Sequence, residues 1–128
     1  MIRRVFLIFV LLGVTACGDD GTGTESVVGS YVLQTVDGGS LPWVASGSTE
    51  ITAELVILNA DMSCRRRSTG PTTDGGSVTV TNECTYTMKF EAIFLTFSPN
   101  SAPHRGSIVG STLTLTSPGS GSVFIYER

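Results

Sequence analysis

The sequence predicts an all-β domain, an antiparallel meander of short strands that closes on itself into a barrel of about eight strands. Three observations carry that expectation. Beyond residue 27 no segment keeps an apolar period of 3.6 over three turns, so no amphipathic helix is written into the chain. Short runs rich in Val, Ile, Thr, Tyr and Phe recur instead, several of them alternating apolar and polar residues as half-buried antiparallel strands do. Between them stand Asp37-Gly38-Gly39, Asp74-Gly75-Gly76, Gly110-Ser111 and Pro118-Gly119-Ser120-Gly121, which supply the positive φ that tight β-turns demand. Strands joined mostly by such turns make a meander, and closure removes its exposed edges.

The first element is processing information rather than fold. Met1-Ile2-Arg3-Arg4 is basic, Val5 to Leu12 is apolar, and Gly13-Val14-Thr15-Ala16 is mostly small. That is the layout of a secretory signal over 1–16, and its apolar block falls far short of the roughly 20 residues that span a bilayer. Residues 17–26 are polar and glycine-rich without an apolar period, and they read as a flexible tether. One domain over 27–128 follows, near the modal domain size.

Strands are expected at Val28 to Val36, Leu41 to Ala45, Glu50 to Leu58, Ser63 to Ser68, Val78 to Lys89 either whole or broken near Asn82, Ile93 to Phe97, Arg105 to Val109, Thr112 to Thr116, and Ser122 to Glu127. In the third, Ile51, Ala53, Leu55 and Ile57 share one face, which places Glu50 and Glu54 on the solvent side. Tyr86, Met88 and Phe90 share a face further on, and Leu113 and Leu115 alternate with Thr112, Thr114 and Thr116.

Composition narrows the function. Without Arg3 and Arg4, six basic residues stand against eleven acidic ones, a formal charge of −5, and Lys89 is the only lysine. Nucleic-acid binding needs cations to neutralise phosphates, so no nucleic-acid partner is expected. Cys64 and Cys84 lie in a chain addressed to an oxidising compartment, where a disulfide between them is expected, with free or metal-bound thiols as the alternatives. Two cysteines and the single His104 make a poor zinc set, and neither a metal nor a cofactor is implied.

Val14-Thr15-Ala16-Cys17 resembles the lipobox of bacterial lipoproteins. The resemblance implies that the signal is cut before Cys17, whose thiol and new amine are acylated, so that lipid rather than a helix anchors the chain to a membrane. A chance cysteine beside an ordinary cleavage site is the alternative. In Gram-negative members of that family an Asp directly after the cysteine often retains the protein at the inner membrane; for a Gram-negative host Gly18 therefore implies the outer membrane of the cell envelope, facing the periplasm.

"GSYVLQTVDGGSLPW", Gly29 to Trp43, and "RGSIVGSTLTLTSPGSGSVFIYER" at the end resemble the opening and closing patterns of small bacterial lipocalin-like lipoproteins. The resemblance implies a lipocalin-like barrel whose base is closed by a Gly-x-aromatic strand packed beneath a basic residue of the last strand. Carried onto this chain, Gly29, Tyr31 and Arg128 take those places, with Arg128 stacked on the ring. An ordinary core tyrosine and a solvated terminal arginine is the alternative.

Candidate binding residues follow from the expected interior: Ile51, Leu55, Ile57, Tyr86, Met88, Ile93 and Leu95 line it, and Trp43, just past a turn, either lines its mouth or plugs the barrel end. A barrel of about eight strands either fills with side chains or holds one small molecule. The first reading is a lipid-anchored, non-enzymatic envelope protein that binds a small apolar ligand; the alternative is a packed barrel that contacts another envelope protein through loops. Arg65-Arg66-Arg67 reads as an anion contact or as a solvated strand edge. No Gly-x-Ser-x-Gly accompanies His104, and no phosphate or calcium loop is present, so no catalytic residue is assigned and no enzyme activity is expected.

Overall fold

The alternating stretches become strands because each has one apolar face to bury and a backbone that its neighbours can pair. The computed structural model describes residues 26–44 and 50–128. The signal, Cys17, Gly18, the tether up to residue 25 and Ala45 lie outside the described residues. Among the described residues there is no helix and 64% lie in strands, which settles the all-β class.

Eleven strands are described: β1 (Gly29–Val36), β2 (Gly39–Ser40), β3 (Trp43–Val44), β4 (Glu50–Ile51), β5 (Ala53–Leu58), β6 (Ser63–Pro71), β7 (Ser77–Lys89), β8 (Ala92–Thr96), β9 (His104–Val109), β10 (Thr112–Thr116) and β11 (Val123–Glu127). From β5 to β11 each strand pairs antiparallel with the next. β1 pairs with β5 on one side and β11 on the other, closing eight strands into a barrel. β2 extends β1, while β3 and β4 form a short separate ribbon.

Turn chemistry sets the connections. Asp37 and Gly38 both have positive φ, 52° and 80°, as the first hairpin turn after β1 requires. Of the two forms expected for this segment, whole or broken near Asn82, the first is found: β7 runs unbroken for 13 residues because β6 pairs it from Ser63 to Pro71. Cys64 and Cys84 are directly opposed in that ladder and form the disulfide, 20 residues apart. Closing such a loop stabilises by roughly 3 kcal/mol on the chain-entropy account.

The barrel interior is filled by side chains. Tyr31, Val56, Leu58, Ile93, Leu95, Leu113 and Tyr126 are fully buried, with Leu33, Val36, Tyr86, Leu115 and Phe124 nearly so. Burying one such side chain is worth about 1.5–3 kcal/mol. Two bulges set which residues enter. In β1 the register slips at Gln34, so Val36 rather than Thr35 turns inward. At the start of β5, Thr52 and Ala53 both stand against Thr69: Thr52 N donates to Thr69 O at 2.8 Å, and Ala53 is its register partner.

The second bulge overturns part of the expected lining. Ile51 is buried, but after the extra residue the inward positions are Glu54, Val56 and Leu58. Leu55 and Ile57 therefore sit on the outer wall, half-buried and directly opposite the exposed Arg67 and Arg65. A one-residue slip moves a whole strand face. Phe90, placed with Tyr86 and Met88, is also outside: it occupies a positive-φ turn at 88% exposure.

Candidate functional site

The two ends of the barrel differ. At the first, β1 begins and the hairpins after β5, β7 and β9 turn. Tyr31, wholly buried, donates its hydroxyl to Val27 O at 2.7 Å, and Arg128 lies over its ring, 5.6 Å from guanidinium carbon to centroid. The same guanidinium donates to Ser26 O at 2.6 Å, and Arg128 N bonds Ser111 O, so the strand end is held. Gly29 has φ 153°, a conformation that L side chains rarely adopt, and a Cβ there would sit 2.8 Å from Arg128 Cδ and displace the arginine. The three residues named for the barrel base are thus in contact. Burial pushes the Tyr31 phenol up, partly offset by the positive charge of Arg128. Tyr86, from the same end, donates to Asn59 O at 2.6 Å.

At the second end the inward positions of β5 and β6 are polar. Glu54, 3% exposed, meets Arg66: Nη2 donates to Oε2 at 3.2 Å, and Nε lies 3.0 Å from Oε1, aligned too poorly for a hydrogen bond. Ser68 donates to Oε1, and the fully buried Tyr126 donates to Oε2. Both carboxylate oxygens are therefore engaged, as a buried charge requires. Arg66 also lies over Phe124 and Phe97, 5.1 Å and 5.7 Å from their centroids. Burial drives the Tyr126 phenol far above its usual range; Arg66 counters this and Glu54 reinforces it.

His104 joins from the start of β9. Its ring packs edge-on against Phe97 at 4.9 Å, and Nε2 is 3.4 Å from Arg66 Nη1. Because a guanidinium only donates, Nε2 accepts and Nδ1 carries the proton, buried without a partner. Burial and then the positive Arg66 hold its pKa below the ordinary value, against a smaller opposing pull from Glu54.

Above this network opens a cleft of about 520 Å³, with Glu54 and Arg66 at its floor and Ile51, Pro71, Val78 and Val80 on its walls. The upper part of the β6–β7 hairpin forms one side. Trp43 closes the neighbouring part of this end, its indole edge-on to Phe124 at 5.6 Å. Pairing of β7 with β8 begins only at Thr85, so residues 77–83 pair with β6 on one edge and, among the described residues, with nothing on the other. All seven are exposed, Val78 and Val80 at 47% and 51%.

The predicted lining does not assemble into one pocket. Trp43 and Ile51 are neighbours in the short ribbon at the second end. Ile93 and Leu95 are fully buried in the wall, Tyr86 bonds at the first end, Met88 is partly buried there, and Leu55 and Ile57 are outside. Of the arginine triplet, Arg65 and Arg67 point outward and Arg66 inward, as period two requires. Sequence reasoning missed Glu54 and Tyr126 as partners of Arg66. The signal was the middle arginine of the triplet, an inward charge that needs an inward acid. Among the described residues no group of three or more His, Cys, Asp or Glu side chains is placed to hold a metal. Comparison with protein families, with curated proteins and with solved structures finds no match for this chain.

Proposed function

We propose that the chain is a lipid-anchored, non-enzymatic module of the cell envelope, a lipocalin-like barrel that works through a protein contact on the overhanging β6–β7 hairpin. The observation that carries this reading is the seven-residue edge of β7 at 77–83, without a second strand partner among the described residues. An open strand edge is a template for another chain, and the barrel beneath holds it rigidly. The filled interior favours this contact over carriage of an apolar molecule in the barrel centre. Glu54, with both oxygens engaged, and His104, turned to Arg66, are poorly placed for acid–base work. The lipobox-like Val14-Thr15-Ala16-Cys17 supports the anchor.

A photo-cross-linking side chain at Thr79, on the outer face of β7, tests the contact in cells that make the protein; the same group at Phe90, on the opposite end, is the control. An adduct from Thr79 and none from Phe90 is expected, and equal or absent adducts overturn the reading. Labelled palmitate should enter the chain and be lost from Cys17→Ser.

The cleft favours a second reading, a small amphipathic molecule with its apolar part on Val78 and Val80 and its polar end toward Arg66. Native mass spectrometry of protein taken from its own envelope should then show a retained small molecule that Val80→Asp releases.

A further inference from the structure

We infer that the partner of the β7 edge is a second copy of this chain, the two copies joined antiparallel through residues 77–83 about a two-fold axis at Val80. The inference rests on the contact reading above and names its partner.

The backbone decides which groups are available. At the hairpin tip Thr72 N donates to Gly76 O at 3.0 Å, and further along Tyr86 N donates to Met62 O. Residues of an antiparallel ladder alternate between pairs that exchange hydrogen bonds and pairs that do not. Counting from both anchors, Val78, Val80 and Asn82 spend their N–H and C=O groups on β6. Those of Ser77, Thr79, Thr81 and Glu83 point away from it, toward the open edge.

A copy of the same edge is complementary to these groups. Centred on Val80, Ser77 opposes Glu83 of the other copy and Thr79 opposes Thr81, so every outward-facing residue meets another and about eight main-chain hydrogen bonds form. Centring the pairing one residue either way leaves part of the segment unpaired. Centring it on Glu83 sets two like charges face to face. In the Val80 frame the only charge of the segment, Glu83, opposes a serine and keeps its own Arg65 at 3.2 Å. The two Val80 side chains meet on the cleft side, flanked by Val78 against Asn82 of the other copy, and the outer side carries threonine against threonine.

The composition agrees. Edges that must stay single carry lysine, proline or an unpaired inward charge. Residues 77–83 carry no lysine and no proline, and four consecutive β-branched residues, Val78 to Thr81, favour extended pairing. A strand from an unrelated protein would meet the same hydrogen-bond groups but would need its own means of avoiding Glu83; a second copy brings Ser77 to that place by symmetry.

The test uses the full chain in density-matched detergent. Sedimentation equilibrium should show a dimer. Val80→Lys, which sets two ammonium groups together only in the dimer, should give a monomer with unchanged far-UV circular dichroism and the thermal midpoint that the wild type approaches on dilution. Thr81→Pro should do the same, because the N–H that it removes faces outward and the β6 ladder is intact. Under mild oxidation Val80→Cys should yield a covalent dimer at least tenfold faster than Phe90→Cys, because the two Val80 positions stand opposite each other at the close, non-bonded spacing. A monomeric wild type, a dimer that survives both Val80→Lys and Thr81→Pro, or equal cross-linking at residues 80 and 90 overturns the inference. If the Thr79 photo-adduct has a mass other than twice the chain, self-pairing fails and the contact reading stands; if there is no adduct, both fail.

Discussion

The two ends of this barrel solve one problem in opposite ways. Each must cap a column of apolar side chains where strands run out and water begins. The first end uses neutral hydroxyls on carbonyl oxygens, Tyr31 on Val27 and Tyr86 on Asn59, with the Arg128 guanidinium laid over the Tyr31 ring and its head on main-chain oxygens. The second draws a carboxylate and a guanidinium into the barrel and surrounds them with Ser68, Tyr126 and His104. The difference teaches where charge is tolerated. Arg128 keeps a wet head, whereas Glu54 is almost fully withdrawn from water and depends on every partner it has.

The largest test of that contrast removes one partner of the buried pair. Glu54→Leu leaves Arg66 without its counter-charge and should destabilise by about 3–5 kcal/mol in urea unfolding. Adding Arg66→Met should recover most of the loss, because replacing both ions by apolar groups removes the desolvation cost together with the attraction. If Glu54→Leu costs less than Arg128→Ala, the buried pair is not what holds the second end.

A finer comparison deletes one hydroxyl at each end. Tyr126→Phe removes a hydrogen bond to a carboxylate and should cost about 1.5–3 kcal/mol, whereas Tyr31→Phe removes one to a neutral carbonyl and should cost about 1. Equal losses would show that the charge on Glu54 adds nothing to its bond with Tyr126. Arg128→Ala should fall within about 0.5–2 kcal/mol, the worth of a cation–π contact. The loss should be largely independent of salt, because the guanidinium meets a ring and carbonyls rather than an acid.

The smallest effect is acid sensitivity confined to the second end. The folded His104 pKa lies below its ordinary 6.5, so as pH falls through that value the unfolded chain takes up the proton first. Stability should then decline between pH 6.5 and the lower folded pKa, by less than about 1.4 kcal/mol per pH unit, and level off beneath it. His104→Gln should flatten that part of the profile. A decline of unchanged slope in the variant would remove His104 as its source.

Much of this architecture was legible in the chain. Local alternation and glycine turns placed most strands, because period two and positive φ are properties of neighbouring residues. The even pair left after Cys17 pointed to Cys64 and Cys84, which the β6–β7 ladder sets face to face. The site was legible only in part. Arg66 is separable from its neighbours by alternation, but alternation alone puts Glu54 toward solvent, because Ile51, Ala53, Leu55 and Ile57 make an unbroken apolar stripe in one dimension. The bulge at Thr52 ends that stripe in three. Likewise Asn82 is a turn-prone residue in one dimension, and pairing with Arg66 of β6 keeps it extended.

By itself the sequence determined what depends on short separations: strand, turn, the acidic balance, and the separation of Arg66 from Arg65 and Arg67 across the two faces of their strand. Tertiary structure decided which face of β5 is interior, that Glu54, Arg66 and Tyr126 share one network, and that β7 outruns β8 and leaves an open edge. These are matters of register between strands far apart in the chain. A one-residue slip there costs little in local propensity and reverses every side chain that follows.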